Sequence, residues 1–347
     1  MVLVDSKNLK SLMKQVLLLH NVDEIVAKTT VEGLVHASLR GVDSHGVRLF
    51  FHYLAGLKSG RLNPNPNFVF EQTSESTGIL DADHTFGHAA GIKAMQLSIE
   101  LAKKAGSAHI AVKNSSHCGA LAYFALEACK HDMIGVAYTH ATSRLKSANG
   151  QREFFGNNPI CFTAPMKDEE PFCYDGANSV ITFNEVRRYK DLGLELPYGV
   201  VADKYGNITT DPSQAEQLIS IGDYKGFGLS MIVDILCGLL TGMPVGRDVS
   251  KMFGDEEVLK NKRYLGQFYS SYKIDSFISK ESFKERLQNL ANTLRNEPSL
   301  EGVSVMVPGD PEKKIEAKRA VEGIPMPKED YKKFQNLANE FSLGESI

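Results

Sequence analysis

The chain opens with apolar residues that return every three or four positions among lysines, first across MVLVDSKNLKSLMKQVLLLH and again from 22 to 40, where Gly41 closes the run. That spacing predicts two amphipathic helices, the first over about 6–19. Asp43 and Ser44 then stand where a third helix, GVRLFFHYLAGLKSG, would be capped. The Asn-Pro pairs of RLNPNPNF end the helical rhythm, and FVFEQ and TGILDAD follow as short strands before a helix from about Gly87 to Gly106. HIAVKN and MIGVAYTH read as apolar strands on either side of the helical AYFALEACKHD, the βαβ rhythm of an α/β layer. The polar stretch 141–158 predicts an exposed loop leading into the strand NPICFTAP. A strand PFCYD, a helix at about 179–191 and a long apolar helix from Gly226 to Gly242 follow. LGQFYSSYKI predicts a strand, 280–295 an amphipathic helix, and 311–322 and 328–341 two charged helices. No repeat, low-complexity tract or clean linker interrupts this order, so the expected domains are interleaved.

Composition narrows the function. A chain of 347 residues with 42% hydrophobic content can bury a proper core without covalent staples. Its 39 basic and 42 acidic side chains leave a net charge of -3, which gives no electrostatic reason to expect nucleic acid or an anionic membrane as partner. The five cysteines are odd in number and lack a CxxC pair, arguing against a disulfide framework or a cysteine zinc site and for a reducing cytoplasm. The N-terminus lacks a small-residue cleavage site, and the longest apolar stretch, LSMIVDILCGLL, contains Asp234 and is too short to span a bilayer. Histidine is the uneven feature: all ten precede residue 141, so imidazole chemistry belongs to the N-terminal part.

Three segments carry candidate chemistry. DSHG, with Arg48 and Tyr53 after it, would place a hydroxyl, an imidazole, a guanidinium and a phenol near a helix start, where a carboxylate is welcome. The same residues also admit a plainer reading, in which Ser44 caps the helix, His45 is solvated and Arg48 pairs with a surface acid. NSSHCGA, residues 114–120, sets His117 at the end of a strand, where ligands bind in α/β proteins. GDYKGFGLSM offers glycines and Lys225 ahead of an apolar helix, donors that could hold a phosphate or simply form a capping turn. No GxGxxG follows any predicted strand, so the usual dinucleotide fingerprint is absent. The PGDPEKK turn at 308–314 reads by itself as an ordinary helix start.

Taken in order, DSHG, NSSHCGA, FFGNNPI, DGANS, ITTDP, DYKGFGLSM, LLTG, LGQF and the closing PGDPE and AVEGIPMP segments resemble the type-2 malate/L-lactate dehydrogenase family over nearly the whole chain. The resemblance implies an α/β fold with a mixed, non-Rossmann sheet: a helical portion at 1–75 that contributes to the substrate pocket, a cofactor-binding domain at 76–260, and a segment 261–347 that packs back on the first portion. It implies His117 and His45 as the catalytic pair, His117 as the acid/base group and His45 holding the carboxylate or carbonyl, or the two with roles exchanged, and Ser44, Arg48 and Tyr53 around the substrate. Asn158, Asp175, Gly176, Ala177, Lys225 and the Pro308–Gly309 turn would line the cofactor. One departure stands out. The family usually reads SHGxxR, whereas here Arg48 comes one position early and Leu49 takes the usual arginine site, a rotation of about 100° on a helix.

The expected function is therefore hydride transfer between NAD, or NADP, and a small 2-hydroxy acid in a homodimeric cytoplasmic enzyme, malate first and lactate second. Ureidoglycolate or another 2-hydroxy or imino acid is the alternative within the family. From a different class, the histidine-rich first part could form a metal-dependent hydrolase, although no HxH or HExxH spacing encourages a metal.

Overall fold

The computed structural model describes residues 1–343. Its opening follows the apolar spacing. Asp5 caps the helix Ser6–Leu19 by accepting from the backbone N–H groups of Lys7 and Asn8, and Asp23 caps Glu24–Leu39 through Ile25 and Val26. These helices bury Leu9, Met13 and Leu34 in one core together with Phe334 and Leu337 of the helix Lys328–Glu340. A short strand ahead of the first helix, Val2–Val4, pairs antiparallel with Ile324–Met326. The last quarter of the chain thus returns to the first helices.

Seven strands form the central sheet, in the order Val69–Gln72, Thr77–Asp81, Ser107–Ser115, Leu265–Lys273, Met133–Thr139, Ile160–Ala164 and Phe172–Gly176. Thr77–Asp81 and Ser107–Ser115 are parallel neighbours, and every other pair is antiparallel. The sheet is therefore mixed and not doubly wound. Ser107–Ser115 and Met133–Thr139 do run the same way across the helix Ala122–Cys129, but Leu265–Lys273 lies between them, antiparallel to both. Packing explains the insertion: Tyr269 is fully buried against Phe124 of the covering helix, and Gly91, having no side chain, makes room for its hydroxyl.

The structure corrects several expected boundaries. Segment 141–158 is not simply a loop, because Leu145–Lys146 and Glu153–Phe155 join a second, five-stranded sheet over a small core of Val186, Leu196, Val201 and Leu218. The helix expected from Gly226 begins at Tyr224, ends as an α-helix at Asp234 and continues as one π-helical turn, Ile235–Leu239. That turn lays the Cys237 carbonyl directly on Gly266, where any side chain would collide with it. The helix expected at 179–191 starts at Phe183, capped by Thr182.

Candidate active site

Residues 43–49 do not begin one continuous helix. Asp43–His45 and Val47–Leu49 are two 3-10 turns separated by Gly46, whose backbone is extended (φ −94°, ψ −153°), and the α-helix starts only at Phe50. Ser38 accounts for the break: its Oγ accepts from the Val47 N–H at 3.0 Å, and a side chain at position 46 would strike that hydroxyl. Ser44 consequently caps no helix, and its Oγ lies 2.8 Å from His45 Nδ1. Asp43 accepts a bidentate pair from Arg319, at 2.7 and 3.0 Å, which ties the turn to the helix Asp310–Glu322.

The strand Ser107–Ser115 delivers His117 from the other side. Asn114 turns the chain with φ 53°, a conformation asparagine tolerates, while its side chain donates to Asp81 at 2.9 Å. Gly119, at φ 72°, closes the turn before the helix Ala122–Cys129. His117 Nδ1 and Tyr53 Oη are 2.6 Å apart, and the His45 and His117 rings stack with centroids 5.7 Å apart. Ser44, His45, Tyr53 and His117 therefore form one cluster. Burial holds the His117 imidazole well below the usual histidine range, with His45 and Arg263 pushing the same way; burial alone lowers His45. The Tyr53 phenol is raised by burial, so it stays a neutral hydroxyl.

Arg48 is not in this cluster. Its side chain is 55% exposed and its Nε lies 2.8 Å from Asp330 Oδ2 on the helix Lys328–Glu340, the acid pairing of the plainer reading. Arg263, by contrast, lies in the interior. It is 3% exposed; its Nε donates to Ser250 Oγ at 3.0 Å, and one terminal nitrogen donates to the Ser250 carbonyl at 3.0 Å and to Thr142 Oγ1 at 3.3 Å. The other terminal nitrogen is buried and has no partner. Sequence reading passed over Arg263, since it stands in a charged run, KNKR, with no motif around it. His88 was passed over as well: it is fully buried edge-on to Tyr53 at 5.3 Å, with both ring nitrogens unpartnered. Gly119 leaves the space for it, because a Cβ there would lie 2.6 Å from His88 Nε2.

The residues expected along the cofactor fall into two kinds. Asn158 is fully buried and already engaged: its amide donates to the Ser230 carbonyl at 2.8 Å and to Asp234 Oδ1 at 3.0 Å, and its Oδ1 accepts from the Ala141 N–H at 3.0 Å. Its side chain clamps the backbone, with both amide donors spent on protein. Of the others, Asp175, Lys225 and Pro308 are exposed, Gly176 and Ala177 half-buried and Gly309 buried. Asp175, followed by Gly176 and Ala177, ends the edge strand Phe172–Gly176; its Oδ2 accepts from the Ala122 N–H at 2.8 Å. Solvent reaches one side of it, yet the crowding of protein on the other raises its carboxyl to about 6, against the lowering pull of the Ala122 and Leu121 N–H groups. The Pro308 carbonyl accepts from the Cys173 N–H at 3.3 Å, setting the Pro308–Gly309 turn against that same strand. Lys225 is exposed in the first turn of Tyr224–Asp234, a helix whose N-terminus has no side-chain cap. The Lys225 and Gly226 N–H groups already donate to the Gly222 and Ile221 carbonyls, at 3.3 and 2.9 Å, so what this helix start offers the phosphates of a dinucleotide is the Lys225 ammonium and the positive end of the helix dipole. Among the described residues no three His, Cys, Asp or Glu side chains are grouped so as to hold a metal ion, which leaves the hydrolase alternative without a ligand set.

Comparison with known proteins identifies the family. The malate/L-lactate dehydrogenase family model matches residues 4–335. The L-sulfolactate dehydrogenase of Methanocaldococcus jannaschii is 30% identical over 97% of both chains, and the NAD(+) ureidoglycolate dehydrogenase of Escherichia coli K12 is 32% identical over 86% of this chain and 85% of its own. The crystal structure of malate dehydrogenase from Entamoeba histolytica superimposes with a TM-score of 0.93 at 28% identity, covering 100% of this chain and 99% of that one. By its whole length and its fold, the chain belongs to the malate/L-lactate dehydrogenase family and is an oxidoreductase of 2-hydroxy acids.

Proposed function

We propose that the protein interconverts a small 2-hydroxy acid and its 2-oxo acid with NAD, or NADP, as hydride carrier, and that His117 moves the proton. The observation that carries this reading is the convergence of the Tyr53–His117 pair and His45 at the end of one strand. Dehydrogenases of this family are nicotinamide-dependent in general, and a bound nicotinamide supplies the acceptor for the C2 hydride. Lys225 and the uncapped helix start would hold its phosphates, and Asp175, Gly176, Ala177 and the Pro308–Gly309 turn would line the rest. Asn158 supports that surface from behind.

The chain's own residues manage the proton. His117 serves as the base in the tautomer whose Nδ1–H donates to Tyr53 Oη, 2.6 Å away, which leaves a lone pair on Nε2; the Gly119 N–H, 3.4 Å from Nδ1, favours the other tautomer. As the C2 hydrogen leaves with its electron pair, the hydroxyl proton passes to that nitrogen and the C–O bond becomes a carbonyl; reduction returns the proton. Ser44 Oγ–H donating to His45 Nδ1 fixes the tautomer in which His45 offers Nε2–H to the substrate oxygen.

A homodimer fits the exposed apolar side chains of one helix and the turn after it, Tyr224, Met231, Ile232, Leu239 and Leu240, which a second copy would cover. A cytoplasmic setting fits five free, buried thiols, and no helix among the described residues is long and apolar enough to cross a membrane.

The test is a panel of 2-oxo acids against NADH and NADPH, followed at the nicotinamide absorbance, repeated with His117→Ala. Turnover in the variant should fall at least about 100-fold while cofactor affinity, read by fluorescence titration, is retained. Near-normal rates for His117→Ala alongside a dead His45→Ala would exchange the two roles. No reduction of any 2-oxo acid with either cofactor would refute the reading.

A further inference from the structure

The turn that carries Ser44 and His45 is a poor structure by itself. Asp43–His45 and Val47–Leu49 are single 3-10 turns, closed by the His45 N–H on the Val42 carbonyl at 3.0 Å, the Gly46 N–H on Asp43 at 3.3 Å and the Leu49 N–H on Gly46 at 3.0 Å. Short 3-10 pieces of this kind hold their shape weakly. What fixes the position of His45 is therefore the set of contacts that grip the turn from outside. Ser38 takes the Val47 N–H at one end. At the other end stands Arg319, in the last turn of the helix Asp310–Glu322. One of its terminal nitrogens donates both to the Ser38 carbonyl and to Asp43 Oδ1, and the other donates to Asp43 Oδ2 at 3.0 Å. A single planar fork thus ties the last turn of the helix Glu24–Leu39 to the first residue of the site turn.

The helix itself does not need Arg319 to stay in place. Glu316 accepts from Arg40 at 2.7 Å, and Asp310 accepts from Arg295 at 2.6 Å. Lys313 donates to Glu169 at 3.1 Å and to the Glu170 carbonyl at 2.7 Å. Ile315 fills the space beside Gly41, where a Cβ would lie 2.9 Å from its Cδ1. The Arg319–Asp43 pair is the tie that leads to the site, and its guanidinium, with a side chain 16% exposed, is far less open to water than an ordinary surface ion pair. Two residues separate Asp43 from His45, whose Nδ1 lies 2.8 Å from Ser44 Oγ and whose ring stacks on His117.

Resting on the dehydrogenase reading above, we infer that Arg319 is a positioning residue for the reaction: through Asp43 and the Ser38 carbonyl it holds the turn so that Ser44 and His45 lie against His117. It acts through the turn, since both of its terminal nitrogens are engaged on protein oxygens. Loss of the fork frees the turn to shift, and a donor displaced by a fraction of an ångström from the reacting oxygen loses rate more than it loses binding.

A double-variant cycle on 2-oxo acid reduction tests this. Arg319→Gln, checked by circular dichroism to be folded, should lower kcat/KM at least about tenfold, chiefly through kcat, while cofactor affinity, read by fluorescence titration, is retained. Arg319→Lys keeps the charge without the fork and should recover only part of the loss; it carries the same cycle where Arg319→Gln does not fold. In a His45→Ala background, read at high enzyme concentration, Arg319→Gln should change kcat/KM by less than about twofold, because a residue that acts through His45 then has nothing to hold. Glu316→Gln removes another tie of the same helix and should lower the urea midpoint while leaving kcat unchanged. Wild-type kcat/KM in folded Arg319→Gln overturns the positioning role, as do losses that multiply in the double variant or an equal loss of kcat in Glu316→Gln; each of these leaves the dehydrogenase reading standing. Absence of turnover by the unaltered enzyme with every 2-oxo acid and both cofactors refutes that reading and the positioning role with it.

Discussion

At the scale of residues, the chemistry rests on imidazoles kept neutral by burial. Because the His117 pKa is held well below 6.5, its base form is fully present at neutral pH. The rate of 2-hydroxy acid oxidation should therefore be flat across pH 7–8 and decline only on the acid side of 6.5, whereas 2-oxo acid reduction, which needs the protonated ring, should rise as pH falls. Initial-rate profiles of kcat/KM in both directions check this; an oxidation limb centred at or above 6.5 would place the base elsewhere. In the same assay Arg48→Ala should change KM for the acid by less than about threefold, as expected of an exposed ion pair. Ser44, His45, Tyr53 and His117 were legible in the sequence because each sits in a short motif whose geometry is local. Arg263 was not, because its place is held by Ser250 and by Thr142, 121 residues away, and no local pattern announces that.

Among the elements, the helices were the most readable and their ends the least. The turn at 43–49 escapes a helical reading because Ser38, from the preceding helix, takes the Val47 N–H that a continuous helix would use. Asn158 shows the same limit from the other side. Its motif pointed to a cofactor contact, but its side chain closes a buried network with Ala141, Ser230 and Asp234, whose other oxygen accepts from the Gly246 N–H at 2.6 Å. Asn158→Ala should lose about 2 kcal/mol or more of stability by stranding those groups, measured by urea titration, while Lys225→Ala weakens the cofactor without destabilising the fold. A variant at Asn158 that kept its stability and lost only cofactor affinity would restore the contact role. Gly266→Ala should be worse tolerated than either, since the π-helical turn leaves no volume beside the Cys237 carbonyl.

For the molecule as a whole, the crowding of histidines becomes a property of stability. His88 and His140 are 1% exposed, and burial pulls each imidazole down to about 3, the second helped by Arg263. A group with a lowered folded pKa binds more protons when unfolded, so its contribution is complete above pH 6.5 and is lost progressively as pH falls toward 3. Between pH 6.5 and 5 each should cost about 2 kcal/mol. The midpoint of urea unfolding should drop steeply over that range, and His88→Phe should flatten the slope by about one proton; a midpoint insensitive to pH would contradict the burial. The mixed sheet was legible as a family likeness. The apolar patterns alone gave the strands but not their order, because a strand's composition records that it is buried, not beside which neighbour.

That order has a consequence for how the protein comes into being. Leu265–Lys273 fills the middle of the seven-stranded sheet, flanked by strands made long before it. Until the ribosome has released that segment, Ser107–Ser115 and Met133–Thr139 each present an unpaired inner edge, and the helices that cover them have no Tyr269 to close on. Nascent chains ending before residue 265 should therefore be sticky, protease-sensitive clients of chaperones rather than folded intermediates, and the sheet should lock late, in one step, when its keystone arrives.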